Sequence, residues 1–270
     1  MNGPKVRWAE LLPHEFLARQ RDLPLVFLPM GLCEPHGQGA AFGLDTIKAD
    51  YLCDEAARRF GGIVAPTMGY HIHETGIALD WLDEVVGEVN PLLGGLPPEV
   101  VLQTFLYQLR AFANGGFEYV VVISGHNFGQ QDLRFAAKEF MLDVPVTVIV
   151  HSDPELVEGS YKGDHAGRYE ISQLLYLRPE LVDLNRALNG ADPLLGRFAL
   201  GLDAGEATAS EGKQIIELSL TAIGVACQAA QPMEARRSPR VSHSDCERIW
   251  ERVLARRSDW TTVKKDIRVE

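Results

Sequence analysis

Residues 117–127 read FEYVVVISGHN, and this stretch decides the fold class. Its β-branched residues place apolar side chains on both faces of a strand, which is typical of a parallel strand buried inside an α/β protein. Further elements are predicted on both sides of it, namely helices over 99–114 and 129–141 and a strand over 144–150. This alternation predicts a three-layer α/β/α fold with a mainly parallel central sheet, in a single domain spanning residues 1–270.

A second apolar run, LPLVFLP at residues 23–29, predicts another short buried strand, and Glu34 and His36 follow its C-terminal end. Residues two apart in an extended chain point to the same side, so these two side chains can face one cavity. Asp45 comes next, at the start of a helix predicted over residues 46–60. Capping the helix N-terminus is the ordinary role of an aspartate in that place.

Polar side chains also follow the other predicted strands. They are His71, His73 and Glu74 after a strand within 61–69, His126 after the strand 117–124, and His151 and Asp153 after the strand 144–150. Ligands bind at the carboxyl ends of parallel strands, so we expect these groups to converge on one edge of the sheet. Glu, His and Asp ligands without cysteine suit Zn²⁺, Mn²⁺ or Fe²⁺, and a bridging carboxylate allows two ions that activate one water and polarise a carbonyl.

A series of short motifs runs through most of the chain: LPMG at 28–31, EPHG at 34–37, DT at 45–46, SGH at 124–126, DHAGRYEIS at 164–172 and ATASEGK at 207–213. In this order they resemble the motifs of the creatininase family of metal-dependent amidohydrolases. The resemblance implies a creatininase-like α/β/α fold and hydrolysis of a non-peptide C–N bond, in a cyclic amide or formamide, by a metal-bound hydroxide. It also implies a homo-oligomer, since family members are often hexamers.

The resemblance implies roles for individual residues as well. The metal ligands, around one or two divalent ions (Zn, Mn or Fe), would be Glu34, His36, Asp45 and His126, with Asp45 in the bridging position. His165 matches a family histidine that acts as a proton shuttle near the scissile bond. Creatininase places a further Glu two residues after the histidine that matches His126, where this chain has Phe128, so Glu170 is the candidate for the remaining acidic ligand. Glu170 also lies in the first turn of a predicted helix, where a carboxylate is favoured whatever its function.

Two segments depart from the family pattern. Family members usually follow the Glu-x-His motif with a second histidine and a Leu-Pro pair, whereas residues 38–44 read QGAAFGL. Many relatives have NGHGGN where residues 124–129 read SGHNFG. We therefore expect the metal ligands to be retained and the surroundings of the substrate to be changed.

The composition limits the possible partners. The chain has 270 residues, 46% hydrophobic and 23% charged, as in an ordinary soluble globular protein. Its formal net charge of -11 argues against nucleic acid or an anionic membrane as the partner and fits a small neutral or cationic substrate. The four cysteines lack CxxC spacing, the start has no signal peptide, and no apolar run approaches the ~20 residues that span a bilayer, so we expect a cytoplasmic protein.

Two other functions stay open at this point. Cys33 follows a predicted strand and could be the nucleophile of a thiol hydrolase with His36 or His126 as base, although it also fits as a small apolar residue packed under the site. The chain could instead keep the fold and the ion while serving as a non-catalytic binding or assembly subunit, because fold does not fix function.

Three further features have two interpretations each. His73 and Glu74 could line the substrate pocket or belong to a solvated loop. His151 and Asp153 could support metal ligands through hydrogen bonds or form a turn. The turn-rich segment 78–98 is predicted to be a surface excursion that acts as a lid or as an oligomer contact.

Overall fold

The computed structural model describes residues 4–85, 95–188, 200–228, 230 and 240–264. Its strands are β1 (Leu25–Met30), β2 (Ile63–Val64), β3 (His71–Ile72), β4 (Gly95–Leu96), β5 (Tyr119–Ser124) and β6 (Thr147–Ser152). The central sheet has the order β2-β1-β5-β6 and all its strands are parallel, while β3 and β4 form a separate parallel pair. The predicted parallel sheet is therefore confirmed.

Helices cover both faces of this sheet. The described residues form the helices α1 (Pro13–Asp22), α2 (Leu44–Phe60), α3 (Ile77–Val85), α4 (Pro98–Asn114), α5 (Gln130–Met141), α6 (Arg168–Leu177), α7 (Leu184–Leu188), α8 (Ala209–Cys227) and α9 (His243–Ala255). Helices α2, α6 and α8 pack together on one side, and α4, α5 and α9 pack together on the other. This arrangement confirms the three-layer α/β/α architecture. Within the described part of the chain, no helix combines the length and the apolar character needed to cross a membrane.

Successive side chains of the central strands alternate between two buried apolar clusters. Val26 and Leu28 of β1 pack in the cluster that contains Phe105 of α4, whereas Phe27 between them packs in the cluster that contains Leu52 of α2. Because both faces of the sheet are covered, its strands are apolar throughout instead of alternating with polar residues. This is the physical reason why the strands were visible in the sequence.

Two glycines allow the N-terminus of α2 to approach the ends of β1 and β5. A Cβ atom at Gly31 would lie 2.5 Å from the Cα of Thr46, and one at Gly125 would lie 2.1 Å from the backbone oxygen of Asp45. Only glycine permits an approach this close. The first turn of α2, with Asp45, is thereby held against the C-terminal edge of the sheet.

The structure corrects two expectations. Helix α2 begins at Leu44 with Gly43 as its N-cap, so Asp45 lies inside the first turn and the N-cap role predicted for it is wrong. Residues 77–85 form α3 instead of the turn-rich excursion expected over 78–98. The glycines, prolines and asparagine that indicated turns all follow Val85. Because these residues led to a turn prediction for the whole segment, the helix that precedes them was not predicted. A lid or oligomer-contact role for 78–98 stays a prediction, and residues 86–94 lie outside the described residues.

Candidate metal centre

Five acidic and imidazole side chains meet at the C-terminal edge of the sheet. They are Glu34 and His36 from the loop after β1, Asp45 from the first turn of α2, His126 from the loop after β5, and Glu170 from the first turn of α6. All five are buried, with exposed fractions between 0% and 7%. The structure thus brings together every residue that the sequence predicted as a metal ligand, although these residues lie far apart in the chain.

Asp45 lies between two groups of possible ligands. Its Oδ2 is 3.5 Å from Nδ1 of His126, which is 2.7 Å from Oε1 of Glu34. Its Oδ1 is 3.4 Å from Nε2 of His36, which is 3.5 Å from Oε2 of Glu170. In each group the three donor atoms lie within 4.8 Å of one another, so they can share one ion. We name Glu34, Asp45 and His126 the first position, and His36, Asp45 and Glu170 the second position.

Three imidazoles at the cluster are oriented by the backbone. Each of the three has one ring nitrogen within hydrogen-bond distance of a carbonyl oxygen: His36 Nδ1 with Glu34 (3.0 Å), His126 Nε2 with Ile72 (3.2 Å) and His165 Nε2 with Pro35 (2.9 Å). A carbonyl oxygen only accepts, so these nitrogens donate and carry the hydrogen. The other nitrogen of each ring is then free to face the carboxylates, as in histidines that bind metals.

Several buried atoms of the cluster have no hydrogen-bond partner, namely both carboxylate oxygens of Asp45 and Nε2 of His36. Leaving a buried polar atom unpaired costs about 1–3 kcal/mol, so these atoms call for a bound group. Burial lowers the pKa of His126, but the carboxylates of Glu34 and Asp45 raise it to about 10. Burial also opposes the charged form of His36, yet Asp45 and Glu170 raise its pKa well above the ordinary value. A site that favours positive charge this strongly fits one or two divalent cations.

Glu170 is held by contacts to both of its carboxylate oxygens. Oε2 accepts a hydrogen bond from the backbone N–H of Ala166 at 2.9 Å, and Oε1 accepts one from Nζ of Lys48 at 2.5 Å. Burial acts to raise the pKa of Glu170, but the ammonium group of Lys48 brings it down to about 2. The carboxylate is therefore ionised at neutral pH. Lys48 itself is 1% exposed and also lies 3.0 Å from Oδ2 of Asp153.

A cavity of about 260 Å³ opens onto the cluster. Besides Glu34, His126 and Glu170, it is lined by His73, Ala78, Trp81, Asn127, Phe128, Asp164 and His165. The ring of His165 stacks on that of His36 with centroids 4.8 Å apart, and the rings of His165 and Trp81 are nearly perpendicular with centroids 5.2 Å apart. Nδ1 of His165 lies 3.9 Å from Oε1 of Glu34. A half-buried imidazole thus lies beside the carboxylates in the wall of the cavity.

His73 and Glu74, predicted together as substrate-binding residues, have different surroundings. His73 lines the cavity, with Nε2 3.6 Å from Oε2 of Glu34 and with neither ring nitrogen hydrogen-bonded. Burial lowers the pKa of His73 to about 4, so the ring is neutral at pH 7. Glu74 is not part of the cavity wall, and its carboxylate lies against Gly95.

The remaining sequence candidates are also separated by the structure. Asp153 is buried and reaches the cluster through Lys48, whereas His151 lines a surface hollow with Arg134 of α5. Cys33 is partly exposed, does not line the cavity and, among the described residues, makes no hydrogen bond to an imidazole. A thiol hydrolase built on Cys33 is therefore not favoured.

Three residues of the site were missed by the sequence reasoning. Lys48 is three residues after Asp45 and four before Leu52, so it lies on the same buried face of the helix as these two residues. This helical spacing is the feature of the sequence from which the burial of Lys48 could have been predicted. Asp164 accepts a hydrogen bond from the backbone N–H of Tyr169 at 2.8 Å and so fixes the backbone at the start of α6. A single aspartate in the sequence does not indicate this role. Trp81 lies on α3, within the segment that had been expected to lack a helix.

A buried carboxylate shared by two groups of His and Glu donors, at the C-terminal edge of a parallel α/β sheet, is typical of hydrolases that use divalent metal ions. The sequence comparison agrees with this class. Residues 9–227 match the creatininase family, described as creatinine amidohydrolase, and the chain therefore belongs to this family of hydrolases that act on C–N bonds.

Individual relatives are distant in sequence. The creatinine amidohydrolase of Pseudomonas putida is 24% identical over 181 residues, which cover 61% of this chain and 68% of that protein. A crystal structure of creatinine amidohydrolase has a TM-score of 0.71 at 22% identity and covers 83% of this chain and 97% of its own. A manganese creatininase structure has a TM-score of 0.69 at 24% identity and covers 84% and 98%. These matches confirm the predicted creatininase-like fold.

Proposed function

We propose that this chain uses one or two divalent metal ions to hydrolyse a non-peptide C–N bond of a small molecule, in a cyclic amide or a formamide. The observation that carries the proposal is the position of Asp45, whose two carboxylate oxygens have no hydrogen-bond partner and face two separate groups of His and Glu donors. Membership of the creatininase family supports hydrolysis at a C–N bond. The cavity next to the cluster provides space for the substrate.

The candidate ligands divide between the two positions already named. Glu34 and His126 would hold an ion at the first position, His36 and Glu170 would hold one at the second, and Asp45 would be shared by both. The ions, when bound, supply Lewis-acid polarisation of the substrate carbonyl and activation of a water molecule. Imidazole and carboxylate donors suit Zn²⁺, Mn²⁺ or Fe²⁺, and the manganese form of a related creatininase supports Mn²⁺ as one of them.

His165 is the residue that transfers a proton. Its Nε2 donates to the carbonyl oxygen of Pro35, so Nδ1 is the nitrogen that can take up and release a proton toward the cavity. Nδ1 also lies 3.9 Å from Oε1 of Glu34 and 4.0 Å from Oε2 of Glu170, close to where a reacting group would stand. The amide nitrogen must be protonated before it leaves, and an imidazole in this place can supply that proton.

The walls of the cavity indicate the kind of substrate. Trp81, Ala78 and Phe128 give it an apolar side, while Asp164 and Asn127 add polar groups. A volume of about 260 Å³ accommodates a small molecule and not a folded polypeptide. Carboxylates around the cavity and the net charge of -11 favour a neutral or cationic substrate over an anionic one.

The test is activity of the metal-loaded protein on a panel of small lactams, cyclic ureas, creatinine and N-formyl amines, followed by NMR of the products. We expect C–N hydrolysis of at least one class, its loss on removal of metal with EDTA, and its recovery when Zn²⁺ or Mn²⁺ is restored. Asp45→Asn serves as the control that lacks the bridging carboxylate. Activity that persists after metal removal would contradict the proposal, and so would a protein that binds metal yet hydrolyses nothing in the panel.

A homo-oligomer and a cytoplasmic location belong to the same proposal. The family resemblance implies a homo-oligomer, and the segment 78–98, which contributes Trp81 to the cavity, is expected to be either a lid or a contact between subunits. Light scattering of the purified chain measures the oligomeric state directly, and a monomer at assay concentration would contradict this part.

A further inference from the structure

The last part of the described chain packs on the face of the sheet that carries α4 and α5. Helix α9 buries an apolar face against these two helices. We name residues 260–264, which follow it, the C-terminal segment; within it Trp260 and Thr262 are almost entirely buried. This part of the chain lies beyond residues 9–227, which match the family, so family membership does not account for its role.

Asp132, in the first turn of α5, binds the C-terminal segment with both of its carboxylate oxygens. Oδ1 accepts hydrogen bonds from the backbone N–H and the hydroxyl of Thr261, at 2.8 and 3.1 Å. Oδ2 accepts the same two bonds from Thr262, at 2.9 and 2.7 Å. Asp132 is 3% exposed, and hydrogen bonds to a charged group are stronger than those between neutral groups. One buried carboxylate therefore holds two successive residues of the segment.

The C-terminal segment lies directly against Gly76, the residue before α3. A Cβ atom at Gly76 would be 2.8 Å from the backbone oxygens of both Thr262 and Lys264, and the φ angle of Gly76 is +57°. Glycine suits this φ, and it alone permits an approach this close. Thr262 Cγ2 and Ile72 Cδ1 also meet beside Gly129, at 3.3 and 3.1 Å from the position of a Cβ atom there. The segment therefore supports residues 71–76 from below.

Helix α3 begins immediately after this contact and forms part of the cavity wall, through Ala78 and Trp81. Leu82 of α3 is buried, but Ile77, Leu79 and Trp81 keep 39%, 40% and 39% of their surface exposed. Much of the apolar surface of this helix is therefore not packed against the described part of the chain. An element with few buried apolar contacts has low local stability, so the position of α3 depends on the support at its first residue.

We propose that Asp132 is a positioning residue for the substrate cavity: through Thr262 it holds the C-terminal segment against Gly76. Helix α3 is thereby fixed, and with it Ala78 and Trp81 in the cavity wall. This inference rests on the proposed function, because it takes the cavity to be the place where substrate binds. Asp132 does not line the cavity and acts only through the segment that it holds.

The first readout is hydrogen–deuterium exchange of the full chain, measured on its peptides by mass spectrometry. In Asp132→Asn one acceptor oxygen becomes an amide nitrogen, which cannot accept a hydrogen bond, while the shape of the side chain is kept. Exchange over residues 71–85 should become roughly ten- to a hundred-fold faster, as expected for lost hydrogen bonds to a charged group, while β1 and β5 keep their protection. Thr262→Val, which removes only the hydroxyl bond, should act in the same direction by a smaller factor.

The second readout is the kinetics of a substrate that the wild type hydrolyses. Displacement of Ala78 and Trp81 weakens contacts that are made equally in the ground state and in the transition state. In Asp132→Asn the KM should therefore rise by roughly tenfold, while kcat stays within about threefold of the wild type. A general loss of structure would lower kcat through the fraction of folded enzyme and would leave KM unchanged.

Asn114→Asp is the matched control. The side chain of Asn114 also holds the C-terminal part of the chain, through hydrogen bonds of 3.0 and 2.8 Å with the backbone of Val241, but it does not touch the C-terminal segment or line the cavity. This substitution keeps the shape and replaces the amide donor by an oxygen. It should leave KM and the exchange over residues 71–85 as in the wild type.

Circular dichroism shows which variants are folded, and Thr262→Val decides the question if Asp132→Asn is not. If exchange rises only over residues 257–264, or equally in β1 and β5, Asp132 anchors the end of the chain or the whole fold and the inference is overturned. An unchanged KM, or an equal effect of Asn114→Asp on residues 71–85, also overturns it. A wild type that hydrolyses nothing in the panel overturns the proposed function instead, and the exchange data still decide whether Asp132 fixes α3.

Discussion

Binding of divalent ions to the metal-free protein should expel protons from His36 and His126. The carboxylates around His126 raise its pKa to about 10, against the lowering effect of burial, and the pKa of His36 is raised well above its ordinary value. At pH 8 the imidazole of His126 is therefore predominantly protonated in the metal-free protein. An ion can bind to the ring nitrogen only after that proton has left, so each position should release about one proton when it fills.

The assay is isothermal titration calorimetry with Mn²⁺ at pH 8, in two buffers that differ in their enthalpy of protonation. The difference between the two heats gives the number of protons released, which we expect to be about one per ion. Between pH 7 and pH 9 the apparent affinity of the first position for its ion should rise by about tenfold per pH unit, because fewer protons compete with the ion for the ring nitrogen as the pH rises.

Single variants locate the source of the protons. His126→Asn should abolish the proton release that accompanies binding at the first position, and His36→Asn should abolish the release that accompanies binding at the second. In each variant the proton release at the other position should be unchanged. Heats that are identical in the two buffers would refute the reasoning, since they would mean either that the imidazoles are already neutral or that they do not bind the ions.

The other expectations concern single residues. Asp45→Asn should bind neither ion in a zinc titration, because it removes the charge that both positions share; retention of full stoichiometry would exclude Asp45 as the bridge. His165→Gln should keep both ions and lose about 10²- to 10⁴-fold in kcat, as expected for a lost proton donor, and an unchanged rate would exclude that role. Burial lowers the pKa of His71 to about 3, below its value in the unfolded chain. The free energy of unfolding should therefore fall by ~2–4 kcal/mol as the pH drops from about 6.5 to 3, as measured by chemical unfolding. His71→Phe should remove this pH dependence, and a dependence that remains in the variant would show that another group causes it. Cys33→Ser should leave the rate within about twofold, and inactivation would revive the thiol mechanism.

The fold was accessible from the sequence because its strands are buried on both faces. Val26 and Phe27 face opposite helix layers, and both must be apolar, which produces the continuous runs that predict parallel strands. The positions of Glu34, His36 and His126 followed from the rule that ligands bind where parallel strands end. Their roles, and the bridging position of Asp45, came from resemblance to a family and not from the pattern itself.

What the sequence did not reveal depends on contacts between distant residues. A lysine in an amphipathic helix is usually solvated, and the partners that keep Lys48 buried, Asp153 and Glu170, lie on elements more than a hundred residues further along the chain. The role of Trp81 was hidden for a different reason, since the turn-forming residues after Val85 outweighed the shorter helical pattern of α3.

The central claim is that Asp45 bridges two ions, and anomalous X-ray diffraction from crystals soaked in saturating Zn²⁺ tests it most directly. We expect two anomalous peaks on either side of the Asp45 carboxylate, one next to Glu34 and His126 and the other next to His36 and Glu170. Crystals that show no peak at this carboxylate, or peaks only at surface residues, would contradict the account.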